Sequence, residues 1–368
     1  MLRESIMDDH PSQEVLDFVV ENAPLWFPEL AGNRVELLVE HSVRRERSSV
    51  AFLRLEGGPG RPVRVVVKAE LEDAPALDDR PRLGIGPHDM SGKHHLEWKG
   101  LVTAWEEFGT GRHPGLRAVR PLAHLPEAGT LIVCRVEDAT LRTQLVAASR
   151  LGVGRRRPDL LPALFGLGRW LGAFHRLGPA VEPARATPGQ RAEVADGYAR
   201  FLAHRHPAAA ELARRLVGLE AELDPTVPLG LGHGDLAPRN AFISAEGEVT
   251  VIDILARWRV PVYEDIAFLL VELRMAGPEL LLFGHAFPAE HHRQLEASFL
   301  QGYAAETKVA VDRGALAWYV ALVLVDKWAA AVTRATGRGR DRVRWHLVNR
   351  RLEEETARVS AELRARVG

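Results

Sequence analysis

The sequence predicts an α+β chain with an antiparallel sheet in its first third and helices through most of the rest. Three observations carry that prediction. Three apolar, β-branched runs follow one another before residue 70 with no helical spacing between them. Helix-spaced apolar positions dominate the second half, and a single strand-turn-strand interrupts them near residues 241–252.

Positions 12–30 carry Val15, Leu16, Phe18, Val19, Ala23 and Leu25 at helix-compatible spacing, and Pro24 and Pro28 predict that the helix is short. Val35–Val43, Val50–Leu55 and Val63–Val67 are the three strands, joined by the polar RRERSS loop and the GGPGRP turn. Residues 71–95, rich in Asp, Pro and Gly, form a connection longer than most within a domain, of a kind that often serves as a lid. A helix over Leu96–Phe108 precedes two further strands, Arg117–Leu125 and Thr130–Val136, around the PEAG turn. Helices are then predicted over Leu160–Leu177, Ala192–Leu223, Tyr263–Met275, Pro288–Glu306, Asp312–Thr336 and Arg340–Arg366, with a loop at Gly178–Gln190.

Composition excludes several functions. The 368 residues hold 48 Lys plus Arg against 49 Asp plus Glu, so a net charge of -1 provides no field for nucleic acid or an anionic membrane. One cysteine, Cys134, excludes an internal disulfide framework and thiolate zinc sites, and makes a reducing cytoplasmic compartment the expectation. The start, MLRESIMDDH, does not have the pattern of a secretory signal. The longest apolar stretch, Ala315–Val325, stops at Asp326 and Lys327, short of the roughly 20 residues that cross a bilayer, and reads as a buried helix.

The chemistry concentrates in Gly232–Asp265, GHGDLAPRNAFISAEGEVTVIDILARWRVPVYED. His233, Asp235, Asn240 and Asp253 surround a hairpin in which AFIS and VTVI flank the turn AEGE. A hairpin brings the loop that enters it close to the loop that leaves it, so two carboxylates and an amide converge. That set suits phosphoryl transfer, which needs one carboxylate to orient a hydroxyl and a second, with an amide, to hold Mg²⁺. Asp235, Asn240 and Asp253 taken singly also fit turn roles, and Asp265 reads locally as the N-cap of the following helix.

HGDLAPRN, then VID, then EDIAF resembles the catalytic and metal loops of the aminoglycoside phosphotransferase-like kinases, small-molecule relatives of the protein kinases. The resemblance implies a bilobal protein-kinase-like fold: a nucleotide-binding lobe over 1–133 with about five antiparallel strands, a hinge at 134–137, and a larger, mainly helical catalytic and substrate-binding lobe over 138–368. It also implies the roles. Asp235 is the catalytic carboxylate, and Asn240 and Asp253 coordinate the Mg²⁺ that bridges the phosphates of ATP. Lys68, closing VRVVVKAE, contacts the α- and β-phosphates, and Glu97 on the next helix is its ion-pair partner, with Glu106 and Glu107 as competitors on that helix. Backbone groups from Cys134 to Val136 hold adenine, while His233 and Asp265 support the catalytic loop. His175, closing GRWLGAFH, falls at a recurrent family position and reads as packing.

Three departures qualify the match. RRERSS lacks the glycines of a protein-kinase phosphate loop, which leaves Ser48 and Ser49, or backbone amides, to touch phosphate. Ile254 and Leu255 follow Asp253 where Phe and Gly would mark a switchable activation segment, which argues against a protein kinase. Arg239 stands where a small residue is common and is expected to contact the transferred phosphate or an anionic substrate.

Other motifs fall away. GPHDMSGKH has five residues between its framing glycines and His for Ser or Thr, so it is not a P-loop. His285, His291 and His292 form no zinc pattern and read as solvated. The function expected is transfer of the ATP γ-phosphate to a hydroxyl of a small molecule: an antibiotic, a nucleoside-type compound, a sugar or a related metabolite. No nucleic-acid or membrane partner is expected. The mixture of Glu with Arg and His over 180–230 and 280–368 suits a neutral or anionic acceptor better than a polycation, and antibiotic resistance and primary metabolism both stay open. The competing reading is a nucleotide-binding module without catalysis, with a protein kinase as the third.

Overall fold

The computed structural model describes residues 11–45, 47–57, 60–71, 79–81, 83, 92–152, 157–177, 185–186, 188–220, 227–334 and 340–367. The lid reading of residues 71–95 rests mostly on positions outside that set. The chain divides into two compact units. One comprises residues 1–77, 92–112 and 118–137, and the other 78–91, 113–117 and 138–368.

The first unit opens with α1 (Gln13–Trp26), capped by the Ser12 hydroxyl, which accepts from the Val15 N–H. Pro24 does not stop this helix. It lies in the last turn, and Val15, Val19 and Ala23 are buried there beneath the sheet, so tertiary packing carries the helix past it. Strands β1 (Glu36–Arg44), β2 (Ser48–Glu56) and β3 (Val63–Glu70) follow, then α2 (Lys93–Phe108). After the short β4 (Leu116–Ala118), most of which belongs to the second unit, come β5 (Pro121–Leu125) and β6 (Thr130–Cys134). The sheet runs β1-β2-β3-β6-β5, and each neighbouring pair is antiparallel. Period-two burial is clean on β2, where Ala51, Leu53 and Leu55 face α1 with Val65, Val67 and Ile132. Ser48 and Ser49 are strand residues rather than loop residues, opposite Glu70 and Ala69, because the Arg45 N–H bonds to Ser48 O and closes the connection tightly.

The second unit adds β7 (Ala139–Thr140), α3 (Leu141–Ala148), α4 (Leu161–His175), β8 (Arg185–Ala186), α5 (Pro188–Leu202) and α6 (Pro207–Leu219). The predicted helical stretch 192–223 is thus two helices. Next come β9 (Val227–Gly232), β10 (Ala241–Ile243), β11 (Val249–Val251), β12 (Arg257–Pro261) and α7 (Val262–Arg274). The chain ends with α8 (Gly277–Leu281), α9 (Ala289–Thr307), α10 (Arg313–Arg334) and α11 (Arg340–Val367). The expected hairpin is β10–β11, widened to the order β4-β11-β10-β7, and β12-β9-β8 forms a third small sheet.

Helices α4 and α9 approach backbone to backbone. A Cβ on Gly168 would lie 2.0 Å from Phe299 O, and one on Gly302 would lie 2.0 Å from Phe165 O. Helix α10 occupies the predicted Asp312–Thr336 stretch. It runs 22 residues, long and apolar enough to cross a membrane, yet 78% of that apolar window is buried within the protein. Asp326 there accepts from the Tyr198 hydroxyl at 2.7 Å, and Lys327 pairs with Glu272, so the helix tolerates both charges.

Candidate active site

In the second unit β9 delivers the chain to residues 233–240 and β11 delivers it to residues 252–256. Two backbone bonds fasten these segments together: Ile252 N–H to Asn240 O, and Leu255 N–H to His233 O, each 2.9 Å. Asp253 sits within the fastened stretch in a left-handed conformation, φ 58°. Its charge is felt by both His233 and Arg239, so the two acidic loops share one electrostatic neighbourhood.

His233 is fully buried and both ring nitrogens are used. Nδ1 accepts from the Asp235 N–H at 3.1 Å, which fixes the tautomer so that Nε2–H donates to Ile252 O at 3.1 Å. Burial pushes its pKa down, against the raising pull of Asp265, Asp235 and Asp253. A neutral imidazole thus stitches the catalytic loop to the following loop, the support expected of it.

Asp265 is not a helix cap. Pro261 holds that position, and Asp265 lies inside α7 with its carboxylate turned to the loop. Oδ2 accepts from the His233 N–H at 2.6 Å and Oδ1 from the Gly234 N–H at 2.8 Å. His175 Nε2 lies 3.1 Å from Oδ2, and its Nδ1 lies 3.0 Å from the Tyr303 hydroxyl. His175 is therefore more than packing. Burial alone would raise the Asp265 carboxyl, but the bond to His175 and the charges of His175 and Arg257 hold it well below the usual range. Gly234 is required: φ is 84°, and a Cβ there would meet Arg257 Nε at 2.8 Å.

Asp235 is partly exposed, with its carboxylate fixed on two sides. Arg239 Nη2 donates to both oxygens, at 2.7 and 2.8 Å, and Asn240 Nδ2 donates to Asp235 O at 2.9 Å and to Oδ2 at 3.1 Å. Arg239 also reaches Glu272 at 3.5 Å. Burial would lower its pKa, and Asp235 and Glu272 outweigh that and raise it. In this state Arg239 is paired with the carboxylate at the centre of the loop, where the sequence suggested a contact with phosphate. Committing the Asn240 NH₂ to the loop leaves Oδ1 as the acceptor of that side chain.

In the first unit Lys68 Nζ reaches both oxygens of Glu97 at 2.7 Å. The pair joins β3 to α2, and the Glu97 side chain is only 5% exposed, so its charge depends on this partner. Glu106 on the same helix is exposed, and geometry selects Glu97. Cys134 belongs to β6: its N–H bonds to Arg120 O and the Arg135 N–H to Arg64 O, each 3.0 Å. The Cys134 and Arg135 N–H groups are thus both committed within the protein. Burial pushes the Cys134 thiol up to about 11, so it is no nucleophile.

Some of the architecture was not legible beforehand. His292, read as solvated, is buried and lies 2.7 Å from Glu279 Oε1, which makes it part of an internal ion pair rather than a surface group. Arg257 and Glu264 border a cavity beside Asp235, although no spacing rule connects them to it.

Residues 152–306 match the model of the phosphotransferase enzyme family. The matched segment includes Asp235, Asn240, Asp253 and Asp265, while Lys68 and Glu97 fall outside it. No curated protein matches the sequence as a whole. Solved structures do resemble it. The macrolide 2′-phosphotransferase MphH of Brachybacterium faecium is 14% identical with a TM-score of 0.54, covering 92% of this chain and 98% of its own. The choline kinase LicA of Streptococcus pneumoniae is 16% identical with a TM-score of 0.52, covering 93% and 99%. A glucosamine kinase in complex with glucosamine, ADP and inorganic phosphate is 16% identical with a TM-score of 0.53, covering 95% and 83%. At these identities the likeness establishes the fold, which is protein-kinase-like.

Proposed function

We propose that the protein transfers the γ-phosphate of ATP to a hydroxyl of a small molecule, with Asp235 orienting that hydroxyl and taking its proton. The observation that carries this reading is the double backbone fastening of residues 233–240 to 252–256, which gathers Asp235, Asn240 and Asp253 on one rigid support. Positioning is most of what phosphoryl transfer asks of a protein.

Asn240 Oδ1 and the Asp253 carboxylate are the residues that would hold magnesium. Among the described residues no group of three His, Cys, Asp or Glu is arranged to hold a metal by itself. Two oxygen donors completed by phosphate and water suit magnesium, which keeps part of its hydration shell. Bound there, magnesium would neutralise charge on the phosphates. Lys68, oriented by Glu97, serves the nucleotide phosphates. Asp265 and His233 hold the backbone under Asp235, and Arg239 keeps its carboxylate aimed. The solved relatives are named for a macrolide, choline and glucosamine, which agrees with a small hydroxylated acceptor.

The test is acceptor-dependent ADP release from Mg²⁺-ATP over sugars, cyclitols, amino alcohols, aminoglycosides and nucleosides, with Asp235→Asn beside the wild type. Activity on one acceptor, lost about 10²- to 10⁴-fold in the variant, is the expected result. Tight Mg²⁺-ATP binding without turnover on any acceptor would make the protein a non-catalytic nucleotide-binding module.

A further inference from the structure

Beside Asp235 the second unit holds a cavity of about 150 Å³, with Arg257 on β12, Glu264 and Phe268 on α7, and Asp326 on α10 among its walls. Two of these groups are left incomplete by the protein. Arg257, whose side chain is 9% exposed, donates through Nη1 to Leu83 O at 3.2 Å, while its Nε has no hydrogen-bond partner. Glu264 is equally buried, and its Oε2 also has no hydrogen-bond partner. The nearest cationic atom, Arg257 Nη2, is 3.8 Å away, beyond hydrogen-bond reach. Buried polar atoms are normally satisfied. One orphan donor and one orphan acceptor on the wall of the cavity that Asp235 borders point to an occupant presenting an acceptor and a donor side by side.

Charge and size narrow its chemistry. The wall sets Arg80 and Arg257 against Asp235, Glu264, Asp265 and Asp326, an acidic excess that disfavours a phosphorylated acceptor. An ammonium group offers donors alone and would leave Arg257 Nε without an acceptor, whereas a neutral hydroxylated molecule supplies both. The volume is about half the lower end of the range for drug-sized ligands, a size that suits one ring. Neighbouring hydroxyls on a ring supply the required donor and acceptor, and Phe268 gives the wall an apolar face for the ring carbons.

We propose that this cavity binds the acceptor as a neutral single-ring polyol, a monosaccharide or cyclitol, with Arg257 Nε–H donating to one of its oxygens and Glu264 Oε2 accepting from an adjacent hydroxyl. The substrate class rests on the phosphotransferase reading, but the binding site does not need turnover to be tested.

The experiment is calorimetric titration of glucose, galactose, ribose and myo-inositol into the full-length protein, beside choline and kanamycin. Each is repeated on the double variant Arg257→Met with Glu264→Met. The double substitution removes both polar atoms without stranding a buried charge, which single substitutions would do. At least one neutral polyol should bind the wild type and lose about 100-fold or more in the variant, the worth of two hydrogen bonds to charged groups, while Mg²⁺-ATP affinity is unchanged. That result stands even if no phosphate is transferred, in which case only the catalytic reading fails. The proposal is overturned if no neutral polyol binds, if binding is indifferent to the double variant, or if choline or kanamycin is the ligand whose binding the double variant abolishes.

Discussion

Glu264→Gln reports most directly on the cavity beside Asp235. Glu264 is nine-tenths buried, with Arg257 Nη2 at 3.8 Å as its nearest cation. Burial pushes its carboxyl up from 4.5 to about 7; Arg257 opposes the rise, and Asp265 and Asp326 add to it. At pH values from 4.5 to about 7 the folded chain therefore keeps a proton that the unfolded chain has released. Stability from this group is fully present below 4.5 and is lost as pH rises through about 7. A difference of about 2.5 pH units, at about 1.4 kcal/mol each, amounts to about 3 kcal/mol. Glutamine has the shape of the neutral acid and does not titrate, so Glu264→Gln should gain about 3 kcal/mol on the wild type over that range. The assay is urea unfolding of both proteins in parallel from about pH 4.5 to about pH 8. Other titrating groups, including His124, His233 and His291, whose pKa values burial lowers, are common to both and cancel in the difference. Curves that stay parallel within about 1 kcal/mol would refute the argument that burial governs this carboxyl.

Three further outcomes are expected. Asp265→Asn removes a buried charge that holds two backbone N–H groups and His175, and should cost about 3–5 kcal/mol by chemical denaturation with a fall in turnover. Because the Asp265 pKa is depressed, its contribution is complete above 3.8 and fades as pH falls, so the gap to the variant should narrow in acid. Gly168→Ala would drive a methyl to within 2.0 Å of Phe299 O and should lower stability by about 2 kcal/mol or more, read as a drop in melting temperature. Lys68→Met strands the buried Glu97 carboxylate and should raise the KM for ATP at least about tenfold with the acceptor KM unchanged, which steady-state kinetics with each substrate varied would show.

The sheet of the first unit was readable because β2 and β3 alternate and α1 carries one apolar stripe, patterns that local geometry imposes on any chain. The hairpin was readable because its turn chemistry and flanking runs are contiguous. Helix ends were less so: Pro24 looks like a stop by propensity, and packing overrides it. The tight contact of α4 with α9 was hidden because a glycine in a helix says nothing of which backbone approaches it.

By itself the sequence determined the α+β class and the hairpin around which Asp235, Asn240 and Asp253 gather, since motif spacing and periodicity are local properties. It also singled out Lys68 and Glu97, which the structure joins. Only the tertiary structure decided what these residues touch. It turned Asp265 from a cap into the acceptor beneath the catalytic loop, gave Arg239 to Asp235, and enrolled His175 from 90 residues away. It also set Arg257 and Glu264 on the wall beside Asp235 with unspent hydrogen bonds. Those outcomes depend on which side chains share a desolvated space, and burial raises the cost of every unmatched polar atom in a way no linear pattern records.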